Sequence, residues 1–368
     1  MEAQIDYSFI DKCLEKRICF AAYSQPNQTE FSIVLQRAAY PLKFNPTDAF
    51  TNHKGFLMAP FDSSHSDKLL IQKDFFLREY ESSVEAWNFV QNLKPNKKYK
   101  SDLPLSTPDE IYFKQFHNFI SYLNRRRAKK LVLSRIINTY KNPNRSYSDL
   151  FKLLNSKHPT AFNYIFYTPN SGLWLGASPE QLLRIEGEEA YTSALAGTQE
   201  IQQDTPLSKY VWGEKEEQEQ QFVVNYIERL LKKYLGDEKP KKHTRSIRAA
   251  KAVHLETTYK FQAFKISLKL SEFIEELHPT PAVCGLPKSA ALKLIRETEH
   301  HDREFYSGFL GPINIEKKTD LFVNLRCLKA NDQNLSLYVG GGITPDSEAQ
   351  SEWNETVLKS QTLISLIN

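Results

Sequence analysis

Apolar positions recur along this chain with two periods, and the change from one to the other marks its elements. Phe113, Phe116, Phe119, Ile120 and Leu123 return at the three- and four-residue spacing of one helical face. A start signal precedes them, with Thr107 as cap, Pro108 at the first helical position and Glu110 closing a capping box. After Lys130 the texture changes. LVLSRIINTY, FNYIFYTP, SGLWLGAS and QLLRIEGEEAYTSALAG are rich in β-branched and aromatic residues with turn residues between them, and they predict strands. The helical period returns over 209–235, where Phe222, Val223, Tyr226, Ile227 and Leu230 form a stripe. Residues 239–246 (KPKKHTRS) predict a basic, proline-containing loop. DLFVNLRCLKA and LSLYVGGGI flank Asn331–Asn334 and predict a β-hairpin, and a last helix is expected from about Ser347 to Ile367. Residues 1–93 mix short apolar segments with polar loops, and 94–108, rich in Pro, Lys and Ser, predict a connection. Strands, helix, strands, helix in that order suggest α+β or mixed α/β rather than a regular βαβ series.

The 368 residues allow one large domain or two to three smaller ones. A composition 40% hydrophobic and 25% charged suits a folded core and excludes a disordered tail, a collagen or a disulfide scaffold. No apolar run approaches the roughly 18 residues of a spanning helix, and the first twenty residues lack a continuous apolar stretch, so no membrane association is expected. Four cysteines without a CxxC pair fit free thiols in a reducing cytoplasm, the expected location. A net charge of +4 with balanced signs argues against a dedicated nucleic-acid binder and fits a small anionic metabolite.

Candidate chemistry begins with acids on helices. Glu216 and Glu219 extend the apolar stripe of the 209–235 helix, and Glu352, Glu355 and Lys359 share one side of the last helix. Inward glutamates on two helices could hold a hard cation such as Mg²⁺ through oxygen, although charged helix faces are usually solvated. Gly340-Gly341-Gly342, at a strand end, would let backbone N–H groups approach an anion, or would form a plain sheet bend. Leu277-His278-Pro279-Thr280-Pro281 predicts a rigid turn. Glu297, Glu299, His300, His301 and Asp302 look like a solvated linker rather than a metal site, because adjacent residues rarely converge on one ion. Arg125-Arg126-Arg127-Ala128-Lys129-Lys130 reads as a charged helix end beside a strand.

Taken together, these pieces are far more specific. KLVLSR (130–135), LGASPE (175–180), LAGT (195–198), EKEEQEQ (214–220), HLET (254–257), LHPTPAV (277–283), FYSGFLG (305–311), LRC (325–327), GGGI (340–343) and EWNETVLK (352–359) occur in that order. In this the sequence resembles the chorismate-utilising enzymes: isochorismate synthases, salicylate synthases and the large components of anthranilate and aminodeoxychorismate synthases. The resemblance covers roughly residues 105–360. It implies an α+β fold, a two-sheet β core wrapped by helices, with residues 1–100 as a variable N-terminal part of the same unit and 101–368 as the chorismate-binding catalytic region.

The resemblance also implies roles. Lys130 matches the general base that activates water in isochorismate and salicylate synthases, a role that needs a deprotonated amine. Glu180 matches the general acid that protonates the leaving C4 hydroxyl while water adds at C2, which needs a raised pKa. Glu219 and Glu355 match the Mg²⁺ ligands, with Glu216 and Glu352 in or beside the next layer. Gly197 and Thr198 match groups offered to the ring carboxylate, with Lys359 as counter-charge. Arg326, Tyr306 and the backbone of Gly342 match the grip on the enolpyruvyl carboxylate, and His254 and Thr280 match residues lining the ring.

Some positions depart from the family pattern. Ala196 replaces the lysine of aminodeoxychorismate synthases, which argues against a covalent route. The usual acid–His pair becomes Glu219-Gln220, and Val-Gly-Gly after HPTPA becomes Val283-Cys284-Gly285. Tyr306 is shared more with salicylate and anthranilate members. The expectation is therefore a Mg²⁺-dependent isochorismate synthase serving menaquinone or siderophore synthesis, with salicylate synthase as the alternative. A non-catalytic binding module would lack a base or a metal ligand, and none is missing. The chain is expected to act on chorismate as a monomer, without a glutaminase subunit, a membrane or nucleic acid.

Overall fold

The computed structural model describes residues 3–45, 50–64, 66–97, 102–201, 205–249 and 252–367. The chain opens with α1 (Tyr7–Lys16), β1 (Phe20–Ser24), β2 (Ser32–Leu35), β3 (Leu42–Phe44), β4 (Gly55–Ala59), β5 (Lys68–Gln72) and β6 (Phe75–Arg78). It continues through α2 (Val84–Asn92), α3 (Asp109–Asn124), β7 (Lys130–Tyr140), α4 (Tyr147–Lys157), β8 (Phe162–Thr168) and β9 (Gly172–Ser178). Then come β10 (Gln181–Glu186), β11 (Glu189–Glu200), α5 (Glu214–Leu235), β12 (Lys241–Ala249), β13 (Ala252–Gln262), α6 (Phe264–Ser267) and α7 (Leu270–Leu277). It closes with β14 (Gly285–Leu286), α8 (Lys288–Thr298), β15 (Phe309–Ile313), β16 (Lys318–Val323), β17 (Cys327–Ala330), β18 (Asn334–Ile343) and α9 (Ala349–Ile367).

The strands form two antiparallel nine-stranded sheets. One runs β14-β7-β18-β17-β9-β8-β1-β2-β6 and the other β12-β13-β11-β10-β16-β15-β4-β5-β3. Residues before 97 thus supply three strands to each. The sheets pack face to face through aromatic rings. Phe162 of the first stacks on Phe322 of the second at 4.2 Å between centroids, and on Phe56 of the second at 6.4 Å. Helices α1, α2, α4 and the end of α9 cover the outer face of the first sheet, and α5 to α7 cover that of the second. Strands covered on both faces need apolar residues at every position. In β1, Phe20 and Ala22 face the helices while Ala21 and Tyr23 face the other sheet. The two-sheet α+β architecture is the one the resemblance implied.

Three local expectations change. Thr107 does not cap α3. Its Oγ1 accepts from the Ile136 N–H at 3.1 Å and its own N–H donates to Ile136 O at 3.0 Å, so pairing with β7 takes the hydroxyl. The expected loop 239–246 is mostly strand β12, an exposed edge paired with β13 along its length. The segment DLFVNLRCLKA divides between sheets: Lys318–Val323 belongs to the second, and only Cys327–Ala330 forms the hairpin with β18 in the first.

Candidate active site

A cavity of about 580 Å³ opens between the N-terminal half of α5, the N-terminal half of α9, the glycine end of β18 and the loops that join the two sheets. Its size is ordinary for a small-molecule site. Of the residues singled out by sequence, Lys130, Glu180, Gly197, Glu216, Glu219 and His254 line it, and so do Tyr306, Arg326, Gly342, Glu352, Glu355 and Lys359. Thr280 does not. It lies buried behind the wall that Ala282 and Val283 provide, and its Oγ1 has no hydrogen-bond partner among the described residues. The Thr198 side chain lies outside the described residues.

Three glycines make the floor. They sit in regular strand, paired with Leu133, Val132 and their neighbours on β7, rather than in an anion-binding turn. They serve by lacking a side chain. A Cβ on Gly342 would lie 2.9 Å from Lys130 Cε and 3.1 Å from Glu219 Oε1. A Cβ on Gly341 would lie 3.1 Å from Glu352 Oε2 and 4.0 Å from Glu355 Oε1. One on Gly340 would lie 2.8 Å from the Tyr306 hydroxyl. The strand is bare where the charged side chains of α5, α9 and β7 meet.

Lys130, the first residue of β7, is only 1% exposed and forms an ion pair with Glu219. Glu355 pairs with Lys359 at 2.5 Å, and Lys359 Nζ also donates to Gly340 O at 3.0 Å. Glu352 accepts from Ser347 Oγ at 2.7 Å. With Glu219 and Glu355 turned to lysines, no group of three His, Cys, Asp or Glu side chains is already gathered as a metal cage among the described residues. Yet three carboxylates meet over two adjacent glycines, an all-oxygen donor set that fits a hard divalent cation such as Mg²⁺.

Glu180 stands in the short link from β9 to β10. Burial pushes its carboxyl up to about 8, against the opposing pull of Lys130. It therefore keeps its proton at neutral pH and can donate it. On another wall, burial and the charges of Arg326 and Lys359 hold His254 down to about 4, so it is a neutral imidazole. Burial lifts the Tyr306 hydroxyl to about 12, and its ring stacks on Tyr338 at 5.6 Å.

Gly197 has φ +63° at a bulge in β11, a conformation that only glycine enters freely. Beside it Gln220 locks α5 to the sheet. Its Oε1 accepts from Ala196 N at 2.9 Å, and its Nε2 donates to Ala194 O at 3.1 Å and to Thr257 Oγ1 at 3.0 Å. The residue beside Glu219 thus sets the height of the helix that carries it.

In the 297–302 segment Glu297, His300 and Asp302 are exposed, as expected of a solvated linker, but Glu299 departs from that reading. Glu299 is buried and accepts from Arg303 at 2.5 and 2.8 Å and from Ser134 N at 2.7 Å. Arg303 also donates to Val132 O at 2.7 Å and Val283 O at 2.9 Å, clamping β7 to the cavity loop. Burial works against the Glu299 charge, but Arg303 and the Ser134 N–H outweigh it and hold the carboxyl below the usual range. The pair lies past the end of α8, in irregular chain where helical spacing gives no warning of it. Sequence reasoning also missed Tyr338, Asp346, Gln218 and Phe222 in the cavity wall.

Comparison with known proteins adds a family. A model of chorismate binding enzymes matches residues 64–368. The isochorismate synthase EntC of Escherichia coli strain K12 is 28% identical over 316 residues, 83% of this chain and 79% of that protein. The vibriobactin-specific isochorismate synthase of Vibrio cholerae is 25% identical over 352 residues, 94% of this chain and 87% of that one. MenF, the menaquinone-specific isochorismate synthase from Escherichia coli, shares the fold with a TM-score of 0.75 at 21% identity, covering 96% of this chain and 89% of that one.

Proposed function

Because the chain belongs to the chorismate binding enzyme family, we propose that it is an isochorismate synthase, an isomerase that adds water at C2 of chorismate and expels the C4 hydroxyl. The observation that carries this reading is the pairing of a buried lysine, Lys130, with a buried acid, Glu180, held protonated near neutral pH on the wall of one cavity. Once parted from Glu219 and with its own proton given up to solvent, the Lys130 amine takes the proton from the attacking water. Glu180 gives its proton to the departing C4 oxygen, which leaves as water, and solvent exchange resets both groups. The ring shifts its double bonds and no net atom is gained or lost.

Arg326, Tyr306 and the Gly342 backbone hold the enolpyruvyl carboxylate, the guanidinium pairing with it through two N–H groups. Lys359, Gly197 and Thr198 serve the ring carboxylate, and neutral His254 lines the ring without competing for protons. Glu219 and Glu355 would hold Mg²⁺, with Glu216 and Glu352 around them. When bound, the ion supplies positive charge at the ring carboxylate. Water as nucleophile requires no ammonia-delivering subunit, and we expect a monomer feeding menaquinone or siderophore precursor synthesis.

The test is direct. Purified protein is mixed with chorismate and Mg²⁺, and products are separated by liquid chromatography with mass detection. Isochorismate alone, abolished by EDTA, supports the reading. The Tyr306 hydroxyl in the cavity wall favours one second reading, a salicylate synthase, and equal amounts of salicylate and pyruvate would establish it instead. Chorismate left intact refutes both.

A further inference from the structure

The face of α9 that lines the cavity does not stop at Lys359. Glu352, Glu355 and Lys359 follow one another by three and four residues, and the next position on that face is Thr362. Its Oγ1 accepts a hydrogen bond from Arg326 Nη1 at 2.9 Å. Arg326 is half-buried in the cavity wall and has left-handed backbone (φ +49°), which fixes the root of its side chain. Among the described residues no carboxylate lies within ion-pair distance of its guanidinium, and Thr362 Oγ1 is its one side-chain acceptor. A half-buried cation without a counter-ion is partly stripped of water, so the guanidinium is poised for an anion that arrives with the ligand. Behind it lies a void of only about 10 Å³, bounded by His158, Ala177 and Thr362, so it has no room to retreat. Burial works against its charge, and of the groups that favour that charge, Tyr306 and then Glu355, only Glu355 is a carboxylate.

We propose that Thr362 is a positioning residue: it holds the Arg326 guanidinium toward the enolpyruvyl carboxylate and keeps it from turning to Glu355. This rests on the chorismate reading above. Arg326 touches the substrate and Thr362 acts only through it. Losing one hydrogen bond to a charged group, together with a misaligned fork, costs about tenfold or more in affinity.

The experiment measures kcat and KM for chorismate at saturating Mg²⁺ in the wild type, Thr362→Val and Thr362→Ser, with thermal unfolding of each. Valine keeps the volume and removes the acceptor; serine keeps the acceptor. The expected result is a KM raised about tenfold in Thr362→Val with kcat within about twofold, near wild-type KM in Thr362→Ser, and similar unfolding temperatures. If Thr362→Val does not fold, Thr362→Ala is read the same way against Thr362→Ser. An unchanged KM in the valine or alanine variant overturns the proposal, as does a loss of kcat and stability that serine does not rescue. Wild-type protein that leaves chorismate untouched overturns the substrate reading itself and takes this inference with it, so the two failures are told apart by the wild-type arm.

Discussion

Glu180→Gln is expected to make the protein more stable at alkaline pH while destroying turnover. A carboxyl raised from 4.5 to about 8 ionises in the fold at a cost of about 5 kcal/mol relative to the unfolded chain. The sign follows from proton counts. Below pH 4.5 both folded and unfolded chains hold the proton, and the group's contribution is fully present. Between pH 4.5 and about 8 the unfolded chain releases its proton first, so stability falls as pH rises, and beyond that the loss is complete. Glutamine has nearly the same shape and no charge to bury, so it escapes the loss. Urea unfolding without divalent ions or substrate should show little difference between variant and wild type at pH 5, and a variant several kcal/mol more stable at pH 9. Wild-type kcat should decline as pH rises through about 8, since the acid form is the active one, and the variant should lose about 10²- to 10⁴-fold in turnover. A variant no more stable at pH 9 than at pH 5 relative to wild type would refute the argument, because the carboxyl would then be ionising without cost.

Three further substitutions probe the rest of the site. Lys130→Ala should lower turnover by about 10²- to 10⁴-fold while chorismate binding, read by calorimetry, stays within about tenfold; retained activity would remove Lys130 from the mechanism. Gly342→Ala places a methyl 2.9 Å from Lys130 Cε and 3.1 Å from Glu219 Oε1, and should reduce turnover at least about tenfold with a small change in unfolding temperature; full activity would show slack in the floor. Glu299→Gln leaves Arg303 as a buried, unpaired cation and should destabilise the fold by about 3–5 kcal/mol in urea unfolding, and a second change, Arg303→Met, should recover part of that loss; an unaltered midpoint in the single variant would show that the pair is solvated.

The helices were legible because each buries one stripe. The apolar stripes that announce α3 and α5 pack in the structure, except that Phe222 of α5 faces the cavity. Failures of the local reading share a cause, which is that distant partners outbid neighbours. Thr107 carries every sign of a cap, but Ile136 supplies both a donor and an acceptor to it. Strand β12 has no apolar alternation because it is an exposed edge, where basic residues also discourage pairing with other chains. Glu299 looked solvated because its neighbours His300 and Asp302 are polar, and its burial depends on β7 and Arg303 reaching it. Among site residues, the glutamates, glycines and Arg326 stood in motifs. Thr280 stood in one too, yet a motif fixes sequence position and not which side of a turn faces the cavity.

The placement of Glu180 and Arg326 follows from the topology. The chain passes from the first sheet to the second at Pro179-Glu180, between β9 and β10, and returns at Asn324–Arg326, between β16 and β17. These two links are bonded to each other's strands. Val323 N donates to Glu180 O at 2.9 Å, and Ala177 N donates to Arg326 O at 3.1 Å. Asn324 strengthens the second link, donating to Phe305 O at 2.9 Å and accepting from Tyr164 at 2.5 Å. A link between stacked sheets has to cross the rim of the interior, so its side chains reach a space that neither sheet fills. One crossing supplies the buried acid and the other the half-buried guanidinium. Lys130 enters from a third direction, at the start of β7, and shares the bare end of β18 with the two glutamate-bearing helices. In the proposed reaction a ring held between them would meet its acid and its base from different walls, as displacement at C4 with addition at C2 requires. Loosening the clamp between the crossings should therefore disturb acid and guanidinium together, while leaving Lys130 where it is.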